Sequence, residues 1–424
     1  MNVQDAEKMA FLMAESGYKT MDDPGDADLI IVNTCSVREK AAQKAYSLLG
    51  RFRELKIEKP HLILGVVGCL AQQLGSHFFK MFPYLDMVVG THQIDRLPEI
   101  VDSVKTVRGR VSETEFCKYV RSLDIPAQPI AGKASSFVTI MQGCNNFCSY
   151  CVVPFLRGKE QSRPLLDIVK EVENLSLHGI QEVTLLGQNV NSYGKTLPAG
   201  ADFAELLAAI GENPGIKRIR FTTSHPKDLS DDLISSFGKI QSLCEHIHLP
   251  VQAGSNRVLK GMKRGYTVEK YKERVAALRS VSPDITITSD MIVGFPGEED
   301  DDFQETLQLM KEIRFDNLFS FKYSQREGTA AVHMDRQVPE KIKSERLNIL
   351  QLLQEEHTLE KNRAMIGKTQ EVLVEGPSRK NHGDMTGRTR NNRIVNFAGG
   401  RELVGTMVNV KIVDAFLHSL RGEI

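Results

Sequence analysis

The sequence predicts a mixed α/β protein that ends in a small all-β unit, and three observations lead to this prediction. Buried strand and helix signals alternate from residue 1 to about 125. They alternate again, through about six units, from 130 to 362, and short alternating runs replace them from 363 to 424. Alternating strands and helices indicate parallel sheets, whereas short strands separated by Gly and Asn indicate a barrel. We therefore expect an N-terminal flavodoxin-like parallel sheet, a central open (β/α)6 partial barrel and a small C-terminal β-barrel.

Composition narrows the class of protein. The 424 residues suggest two to three domains, and 41% hydrophobic with 25% charged residues is ordinary for a globular protein. No run of about 18 apolar residues is present, so we expect no membrane span. The 54 basic and 54 acidic residues give no net charge, so a nucleic-acid-binding surface must be a local patch. Seven cysteines, three of them clustered, favour a reduced compartment and metal binding over a disulfide framework.

Two cysteines follow buried strands of the N-terminal part. A strand at 29–33 ends near Cys35, and a strand at 61–67 ends near Cys69. Ligands of open parallel sheets bind at the carboxyl ends of the strands. Two thiols on neighbouring strand ends can share a metal, but free cysteines are also common as small buried residues. Position alone leaves both interpretations open.

A cysteine-rich loop follows the first strand of the central part. Cys144, Cys148 and Cys151 have the spacing Cys-x3-Cys-x2-Cys and come after an apolar run at 137–141. Three thiolates can hold three irons of a four-iron cubane and leave the fourth iron open to a small molecule. The alternative is a structural zinc site, which needs four ligands, usually in paired Cys-x2-4-Cys units. The spacing and the number of ligands favour the cluster.

Polar, glycine-bearing segments follow several later strands of the central part, at 187–189, 252–255 and 294–298. The chemistry of β/α barrels gathers at the carboxyl ends of the strands, and glycine lets the backbone approach a ligand closely. One such segment is weak evidence, because Gly and polar residues end most strands. Several in register, together with the cysteine loop, indicate a ligand pocket.

The C-terminal part is basic. Residues 361–424 contain 11 Lys and Arg against 6 Asp and Glu, a difference of +5. Arg388, Arg390 and Arg393 cluster there. Small basic β-barrels commonly bind nucleic-acid backbones, but a solvated basic surface is equally consistent with the charge.

Several stretches together resemble the methylthiotransferases of the radical S-adenosylmethionine (SAM) superfamily. The cysteine loop at 143–151 resembles the cluster motif of the superfamily, and its continuation at 152–164 narrows the likeness to the methylthiotransferases that act on isopentenyladenosine in tRNA. Residues 33–41 and 65–69 are similar to the N-terminal domain of that family. Residues 387–392 resemble the core of the TRAM domain, which is associated with RNA binding.

The resemblance implies domains and ligands. It implies an N-terminal methylthiotransferase domain at 1–125, a radical SAM core at 130–362 and a TRAM domain at 363–424. Cys144, Cys148 and Cys151 would be the catalytic ligands of one 4Fe-4S cluster, and Cys35 and Cys69 would bind an auxiliary one. The residues implied to bind SAM are Tyr150, close to its adenine, and Gly187, Gln188, Asn189, Gln252, Ser255 and Gly294. Arg388, Arg390 and Arg393 would bind RNA. Arg157, Glu160 and Arg163 would contact SAM or the RNA, although by themselves they suggest a solvated charged loop.

The implied reaction is methylthiolation of carbon 2 of N6-(dimethylallyl)adenosine at position 37 of tRNA. That C–H bond is unactivated, so a radical formed from SAM must break it, and cofactors carry such chemistry. The auxiliary cluster would present the sulfur, and a second SAM would supply the methyl group. The base must leave its stack, which is easiest in a single-stranded loop. Implied partners are tRNA, an electron donor such as flavodoxin or ferredoxin, and a sulfur source, for a cytoplasmic monomer without a membrane anchor.

Other functions fit parts of the same pattern. Related methylthiotransferases act on threonylcarbamoyladenosine in tRNA or on a ribosomal-protein aspartate. Residues 33–40 and 152–154 favour the isopentenyladenosine branch, and the basic barrel favours RNA over a protein target. A non-catalytic iron–sulfur protein that binds RNA is the alternative from another class.

The chain departs from the family at its first residues. The first auxiliary cysteine of the family lies in a Gly-Cys-Gln-Met-Asn stretch after the first strand, and Met1-Asn2 matches the end of that stretch. We therefore expect that the native start lies upstream, and that the missing strand exposes backbone groups of its neighbours. Whether an auxiliary cluster forms on Cys35 and Cys69 alone depends on this. Cys117 and Cys244 match no ligand position. For Cys117, in a connector of mixed charge, we expect a surface thiol, and a role as a replacement ligand is the alternative.

Overall fold

The computed structural model describes residues 1–36, 39–107, 109–130, 132–198, 200–379, 381 and 383–424. The chain folds into two compact units. The first contains residues 1–128, 139–145 and 152–163, and the second contains residues 129–138, 146–151 and 164–424.

The first unit is built on a parallel sheet of four strands in the order β1-β2-β3-β4. The strands are β1 (Leu29–Thr34), β2 (Ile63–Gly68), β3 (Met87–Val89) and β4 (Val111–Glu113). Its helices are α1 (Asn2–Glu15), α2 (Glu39–Glu58), α3 (Cys69–Leu74), α4 (Phe78–Met81) and α5 (Leu97–Val107). All six residues of β2 are buried, as its continuous apolar sequence predicts for a strand covered on both faces.

The two faces of this sheet bury separate cores. Ile63 and Val67 of β2 pack with side chains of α1 and α5, whereas Leu64 and Val66 pack with side chains of α2 and α4. Alternate residues of a strand point to opposite faces, so one strand supports both cores. The predicted N-terminal α/β sheet is confirmed.

The strands that we expected to be left unpaired by a missing neighbour are hydrogen-bonded to each other. β1 pairs directly with β2 along its whole length, from Leu29 opposite Ile63 to Thr34 opposite Gly68. The expectation of exposed backbone groups between these strands was therefore wrong, because β1 and β2 pair along the edge that they share.

Three short elements, two strands and a helix, complete the first unit. In sequence they follow a strand that belongs to the second unit. Strand β5 (Ser135–Thr139) begins the sheet of the second unit. Strands β6 (Met141–Gln142) and β7 (Gln161–Ser162) then pair antiparallel, and α6 (Val153–Arg157) lies between them in sequence.

The second unit contains the predicted partial barrel of six strands. These are β5 and then β8 (Glu182–Leu186), β9 (Arg218–Phe221), β10 (His246–His248), β11 (Thr286–Val293) and β12 (Asn317–Lys322). They form two groups, β5-β8-β9 and β10-β11-β12, which a parallel bridge between Ile219 and Leu243 connects. The helices are α7 (Leu165–Leu177), α8 (Phe203–Gly211), α9 (Asp231–Lys239), α10 (Asn256–Gly261), α11 (Val268–Val281), α12 (Asp300–Ile313) and α13 (Glu340–Arg363). The strand order follows the chain, which confirms the open (β/α)6 architecture.

A closed five-stranded barrel ends the second unit and confirms the predicted all-β part. Its strands are β13 (Thr369–Pro377), β14 (Asp384–Thr389), β15 (Ile394–Ala398), β16 (Met407–Ala415) and β17 (Leu420–Glu423), in the order β13-β14-β15-β17-β16. Alternating residues such as Val372 and Val374, or Val410 and Ile412, fill its interior. No helix in the described part of the chain has the length and apolar character that crossing a membrane requires.

Candidate functional site

The cysteine loop begins in the first unit. Cys144 is buried, and its backbone N–H donates to the carbonyl oxygen of Gly158 at 3.3 Å. Gly143 has φ +84°, and a Cβ there would clash with the carbonyl oxygens of Gly158 and Lys159. Only glycine fits this position, because it combines a left-handed backbone with close backbone contact. The start of the loop is therefore fixed against residues 158–159.

The rest of the loop lies in the second unit, where Ser149 fixes its path. The Ser149 N–H donates to Met262 O at 3.0 Å, and its Oγ donates to Gly261 O at 2.8 Å. The carbonyl of Ser149 accepts from the N–H of Ala331 at 2.8 Å. Cys148 and Cys151 lie on either side of this anchored residue, and the Cys151 N–H donates to Cys148 O at 3.0 Å. The backbone that carries both sulfurs is therefore held from two directions.

A buried arginine contacts one of these sulfurs. Arg264 Nη1 lies 3.4 Å from Cys148 Sγ and 3.4 Å from the phenol oxygen of Tyr150. Its Nη2 donates to Pro250 O at 2.7 Å, and its Nε donates to the Tyr266 hydroxyl at 3.0 Å. Within the described ranges, no carboxylate lies at ion-pair distance from this guanidinium.

The charge of Arg264 indicates which form of the Cys148 sulfur its surroundings favour. Burial lowers the pKa of Arg264, but Tyr150, Tyr266 and Cys148 outweigh it and raise that pKa well above its usual value. A buried cation without a counter-ion is strongly destabilising. A cysteine that binds metal is a thiolate and supplies the missing negative charge. The residues around Cys148 therefore fit an anionic, metal-bound sulfur.

In the described ranges, no three His, Cys, Asp or Glu side chains converge on one point as ligands of a single ion do.

Two unpaired polar atoms lie in the segments after β8 and β9. Asn189 donates through Nδ2 to Asp228 Oδ2 at 2.8 Å, but its buried Oδ1 has no partner. His225 accepts at Nδ1 from the N–H of Lys227 at 3.2 Å, and its buried Nε2 also has none. Burial, and then Arg264, hold the pKa of His225 well below its usual range. The ring is therefore neutral with its proton on Nε2. A ligand with both a donor and an acceptor would satisfy these two atoms.

His225 is a residue that the sequence-based site prediction missed. It belongs to the polar segment 222–226 after β9, which has the same character as the segments that were selected. The signal was present, but nothing in the sequence distinguished the histidine from its polar neighbours.

The other predicted SAM-binding residues also follow strands. Gly187 and Gln188 come directly after β8. Gln252 has φ +76°, unusual for a residue other than glycine, and its N–H donates to Asp290 O at 2.9 Å. Such backbone strain is found mostly at functional sites.

Ser255 and Gly294 already have contacts within the protein. The buried hydroxyl of Ser255 donates to Asp302 Oδ1 at 2.6 Å. Gly294 has φ +72° and packs so closely on Lys343 of α13 that a Cβ would clash with it. These contacts fix the loops, and the role of both residues toward a cofactor stays a prediction.

Cys35 and Cys69 lie at neighbouring strand ends of the first unit. Thr34 of β1 and Gly68 of β2 form the last pair of residues between these two strands. Cys35 directly follows Thr34, and Cys69 directly follows Gly68. Gly68 has φ +101°, and a Cβ there would lie 2.6 Å from Thr34 O. Cys69 is buried and opens α3, whereas Cys35 is half-buried. Neighbouring parallel strands are about 4.8 Å apart, so the backbones of the two cysteines lie at adjacent strand ends.

A second buried arginine contacts Cys69. Arg157 Nε lies 3.4 Å from Cys69 Sγ, and Nη2 lies 2.5 Å from Asp5 Oδ2. Its Nη2 and Nη1 also lie 3.4 Å from Asn2 Oδ1 and 3.5 Å from Gln142 Oε1. Burial lowers the pKa of Arg157, but Asp5 and Cys69 outweigh it and raise that pKa.

Arg157, Glu160 and Arg163 are all buried, so the interpretation of this segment as a solvated charged loop was wrong. The Glu160 N–H donates to Asn145 Oδ1 at 3.2 Å, and Arg163 Nη1 donates to Thr139 O at 2.7 Å. Arg157 and Arg163 find partners inside the unit, and the backbone of Glu160 holds Asn145 of the cysteine loop.

Two cysteines lie outside these sites. Cys117 is half-buried, and its Sγ lies 3.3 Å from Gln93 Nε2. Cys244 is buried, which raises the pKa of its thiol to about 11. Cys244 is therefore a neutral thiol at physiological pH.

The three arginines of the C-terminal barrel have carboxylate partners. Arg388 Nε lies 2.9 Å from Glu375 Oε1 within the barrel. Arg390 contacts both carboxylate oxygens of Glu245, at 2.8 and 2.9 Å, and Arg393 lies 2.8 Å from Asp316. Arg390 and Arg393 thus connect the β-barrel to the (β/α)6 core of the same unit.

Two arginines of β9 make the reverse connection and were not singled out from the sequence. Arg218 donates to Arg388 O at 2.7 Å and to Glu371 O at 2.9 Å. Arg220 donates to Thr389 O at 2.7 Å and to Arg390 O at 2.8 Å. The sequence signal that could have found them is the presence of two arginines, two residues apart, in a strand with buried apolar neighbours.

Family models match three parts of the chain. A model of the Radical SAM superfamily matches residues 138–310, and one of the TRAM domain matches residues 363–424. A model described as Uncharacterized protein family UPF0004 matches residues 1–90.

Solved structures share the fold. A radical S-adenosylmethionine methyltransferase, TsrM from Kitasatospora setae, aligns with TM-score 0.58 and 15% identity over 77% of this chain and 70% of its own. The cobalamin-dependent S-adenosylmethionine radical enzyme OxsB aligns with TM-score 0.54 and 14% identity over 82% of this chain and 53% of its own.

Curated relatives match the whole chain. A tRNA-2-methylthio-N(6)-dimethylallyladenosine synthase from Syntrophus aciditrophicus (strain SB) is 58% identical over 423 residues, which are 100% of this chain and 92% of that protein. Proteins of the same name from Geobacter metallireducens and Syntrophobacter fumaroxidans are 50% and 48% identical over all of this chain and 96% and 93% of their own. The chain therefore belongs to the family of tRNA-2-methylthio-N(6)-dimethylallyladenosine synthases within the radical SAM superfamily.

Proposed function

We propose that this chain transfers a methylthio group to carbon 2 of N6-(dimethylallyl)adenosine at position 37 of tRNA. The observation that carries the proposal is the Cys-x3-Cys-x2-Cys loop, in which the uncompensated charge of Arg264 lies 3.4 Å from Cys148 Sγ. A buried cation at that sulfur fits a thiolate bound to a cluster and does not fit a neutral buried thiol.

Cys144, Cys148 and Cys151 would hold the 4Fe-4S cluster that membership of the superfamily implies. With SAM bound, this group supplies a radical that can break an unactivated C–H bond. The chain itself positions the reactants. Ser149 fixes the backbone of the loop, and Asn189 and His225 offer an acceptor and a donor to the bound molecule.

Tyr150 is proposed as the aromatic contact of the adenine. Its phenol accepts from Arg264 at 3.4 Å, and burial raises its pKa well above the usual value. It therefore stays a neutral phenol that can pack on a base. Gly187, Gln188, Gln252, Ser255 and Gly294 stay proposed SAM-pocket residues by resemblance.

Cys35 and Cys69 are the proposed ligands of the auxiliary 4Fe-4S cluster, which would supply the sulfur. Their placement at neighbouring strand ends and the contact of Arg157 with Cys69 support this proposal. The division into domains at 1–125, 130–362 and 363–424 also remains our proposal.

The TRAM domain is proposed to bind the tRNA. Of its three candidate arginines, Arg388 is the most available, because its side chain is 34% exposed, against 26% for Arg390 and 14% for Arg393. A monomeric cytoplasmic enzyme that takes electrons from flavodoxin or ferredoxin, and sulfur from a separate source, completes the proposal.

Anaerobic reconstitution with an iron count tests the cofactor assignment first. About eight irons per chain should fall to about four in the triple variant Cys144→Ala, Cys148→Ala, Cys151→Ala. A count that the triple variant leaves unchanged would overturn the assignment of the loop.

Mass spectrometry of nucleosides then tests the reaction. The reconstituted protein, with SAM and dithionite, should add a methylthio group to tRNA that carries N6-(dimethylallyl)adenosine and not to the same tRNA with unmodified adenosine. If product forms instead on tRNA that carries threonylcarbamoyladenosine, the chain acts as the related methylthiotransferases of that substrate do. Uptake of iron without SAM cleavage would favour a non-catalytic RNA-binding protein.

A further inference from the structure

We propose that Arg264 and Arg157 are positioning residues that each set the reduction potential of the cluster on the cysteine they contact. This inference rests on the proposed function, because it requires clusters on the Cys148 loop and on Cys69. Each guanidinium places one N–H 3.4 Å from a candidate cluster sulfur, in separate compact units of the protein.

Folding brings each arginine to its sulfur from a distant part of the sequence. Arg264 is 116 residues from Cys148, and Arg157 is 88 residues from Cys69. Both side chains are almost fully buried, at 5% and 3% exposure. A buried guanidinium needs a negative charge or several acceptors around it, and at both sites one of these partners is a candidate cluster sulfur.

The physical effect follows from charge. Reduction adds one electron and no proton to a cluster, so its negative charge grows by one. A nearby buried cation, and a hydrogen bond to a ligand sulfur, both stabilise that added charge. Each arginine should therefore raise the reduction potential of its own cluster and make it easier to reduce.

The surroundings of the two arginines differ, which predicts effects of different size. Arg264 has neutral acceptors apart from Cys148, namely Pro250 O and the hydroxyls of Tyr150 and Tyr266. Arg157 shares its charge with Asp5 at 2.5 Å. The net field at Cys69 is therefore weaker than at Cys148, and the Arg264 substitution should have the larger effect.

A potentiometric titration with dithionite as reductant, followed by electron paramagnetic resonance, tests the inference on the full chain. Arg264→Met should change the reduction equilibrium of the loop cluster by roughly tenfold toward the oxidised state, about 59 mV for one electron. Arg157→Met should shift only the auxiliary cluster and by less. The Cys144→Ala, Cys148→Ala, Cys151→Ala background identifies the signals, because there only Arg157→Met should have an effect.

Arg264→Lys and Arg264→Gln separate the effect of the charge from the effect of the hydrogen bond. They also keep the inference testable if Arg264→Met binds no iron. The Lys variant keeps the charge and should lie closer to wild type than the Gln variant, which keeps only N–H donors. Wild-type potentials in Arg264→Met, or in Arg264→Gln where the Met variant binds no cluster, would overturn the inference. So would an equal shift of both clusters, because that indicates a general loss of structure.

The titration needs no tRNA, so it separates this inference from the proposed reaction. The expected shifts in potential without any methylthio product would leave the inference standing and remove the proposed function. A wild type that binds no iron removes both. A wild type that binds only about four irons, all lost in the triple variant, holds the loop cluster and no auxiliary cluster. Arg157→Met should then leave the signal of the loop cluster unchanged. The part of the inference that concerns Arg157 and Cys69 is overturned in that case.

Discussion

At the scale of single residues, the candidate pocket is marked by two of the buried polar atoms that have no hydrogen-bond partner in the described part of the chain. Asn189 Oδ1 and His225 Nε2 are both buried and unpaired, in segments that follow adjacent strands of the barrel. A folded protein tolerates such atoms where a ligand satisfies them, since each unpaired atom otherwise costs about 1–3 kcal/mol. We interpret them as an acceptor and a donor prepared for SAM.

His225→Phe should therefore weaken SAM binding about tenfold, because the ring keeps its shape and loses a hydrogen bond that contributes roughly 1.5 kcal/mol. Equilibrium dialysis with the reconstituted protein measures this. His246→Phe is the matched control, since that histidine is also buried but begins a strand rather than following one. Equal dissociation constants for wild type and His225→Phe would remove His225 from the pocket.

At the scale of elements, the cysteine loop depends on one glycine. Gly143 has φ +84° and lies against the backbone of residues 158–159. Gly143→Ala should prevent the loop from closing, and iron per chain should fall by about four. The backbone conformation alone costs an alanine about 1–2 kcal/mol, so the steric clash has to be separated from it.

Gly179→Ala provides that separation. Gly179 has nearly the same φ, +87°, but no heavy atom lies within 4 Å of the position that a Cβ would take there. This variant should keep the full iron content. If both variants lose iron equally, backbone strain and not the contact with residues 158–159 controls the loop.

The TRAM domain is held to the barrel by an interlocking set of arginines. Arg218 is fully buried and donates to two backbone carbonyls of the TRAM domain, at 2.7 and 2.9 Å. Arg218→Met should destabilise the second unit by about 3 kcal/mol, because the two carbonyls lose their donor and Glu371 loses its ion-pair partner.

Hydrogen exchange of the TRAM strands and thermal unfolding measure this loss. Arg336→Met is a suitable control, because that arginine is 68% exposed and its partner Glu299 is 61% exposed. Unchanged exchange in β13 and β14 of Arg218→Met would show that other contacts hold the domain.

At the scale of the whole molecule, charge has to be concentrated locally for tRNA to bind. The chain has no net charge, whereas its last 64 residues carry an excess of five basic side chains. Arg390 and Arg393 are paired with Glu245 and Asp316, so the free cationic surface of the TRAM domain is smaller than its sequence suggests.

Arg388→Gln should weaken tRNA binding uniformly across tRNA sequences and reduce the slope of log affinity against log salt by about 0.7–0.9, the value for one phosphate contact. Filter binding across a salt series measures the slope. Arg274→Gln, on a barrel helix and paired with Asp231, should leave it unchanged. A slope equal to wild type would show that Arg388 contacts no phosphate.

Much of this architecture could be predicted because its signals are local. The apolar run of β2, the alternation in β13 and β16, and the order of the barrel strands each follow from neighbouring residues. The prediction failed where a long-range contact decided the outcome. β1 and β2 pair directly although a missing strand was expected to separate them. Arg157, Glu160 and Arg163 are buried although their sequence resembles a solvated loop.

The sequence by itself determined the three cysteines of the loop, the two cysteines at strand ends and the family, because ligand spacing and strand periodicity are properties of adjacent residues. Only the tertiary structure decided which charges meet those sulfurs. Arg264 reaches Cys148 across 116 residues, and Arg157 reaches Asp5 across 152. Such contacts depend on how distant segments pack, and burial then strengthens the effect of each charge, since the interior screens it far less than water does.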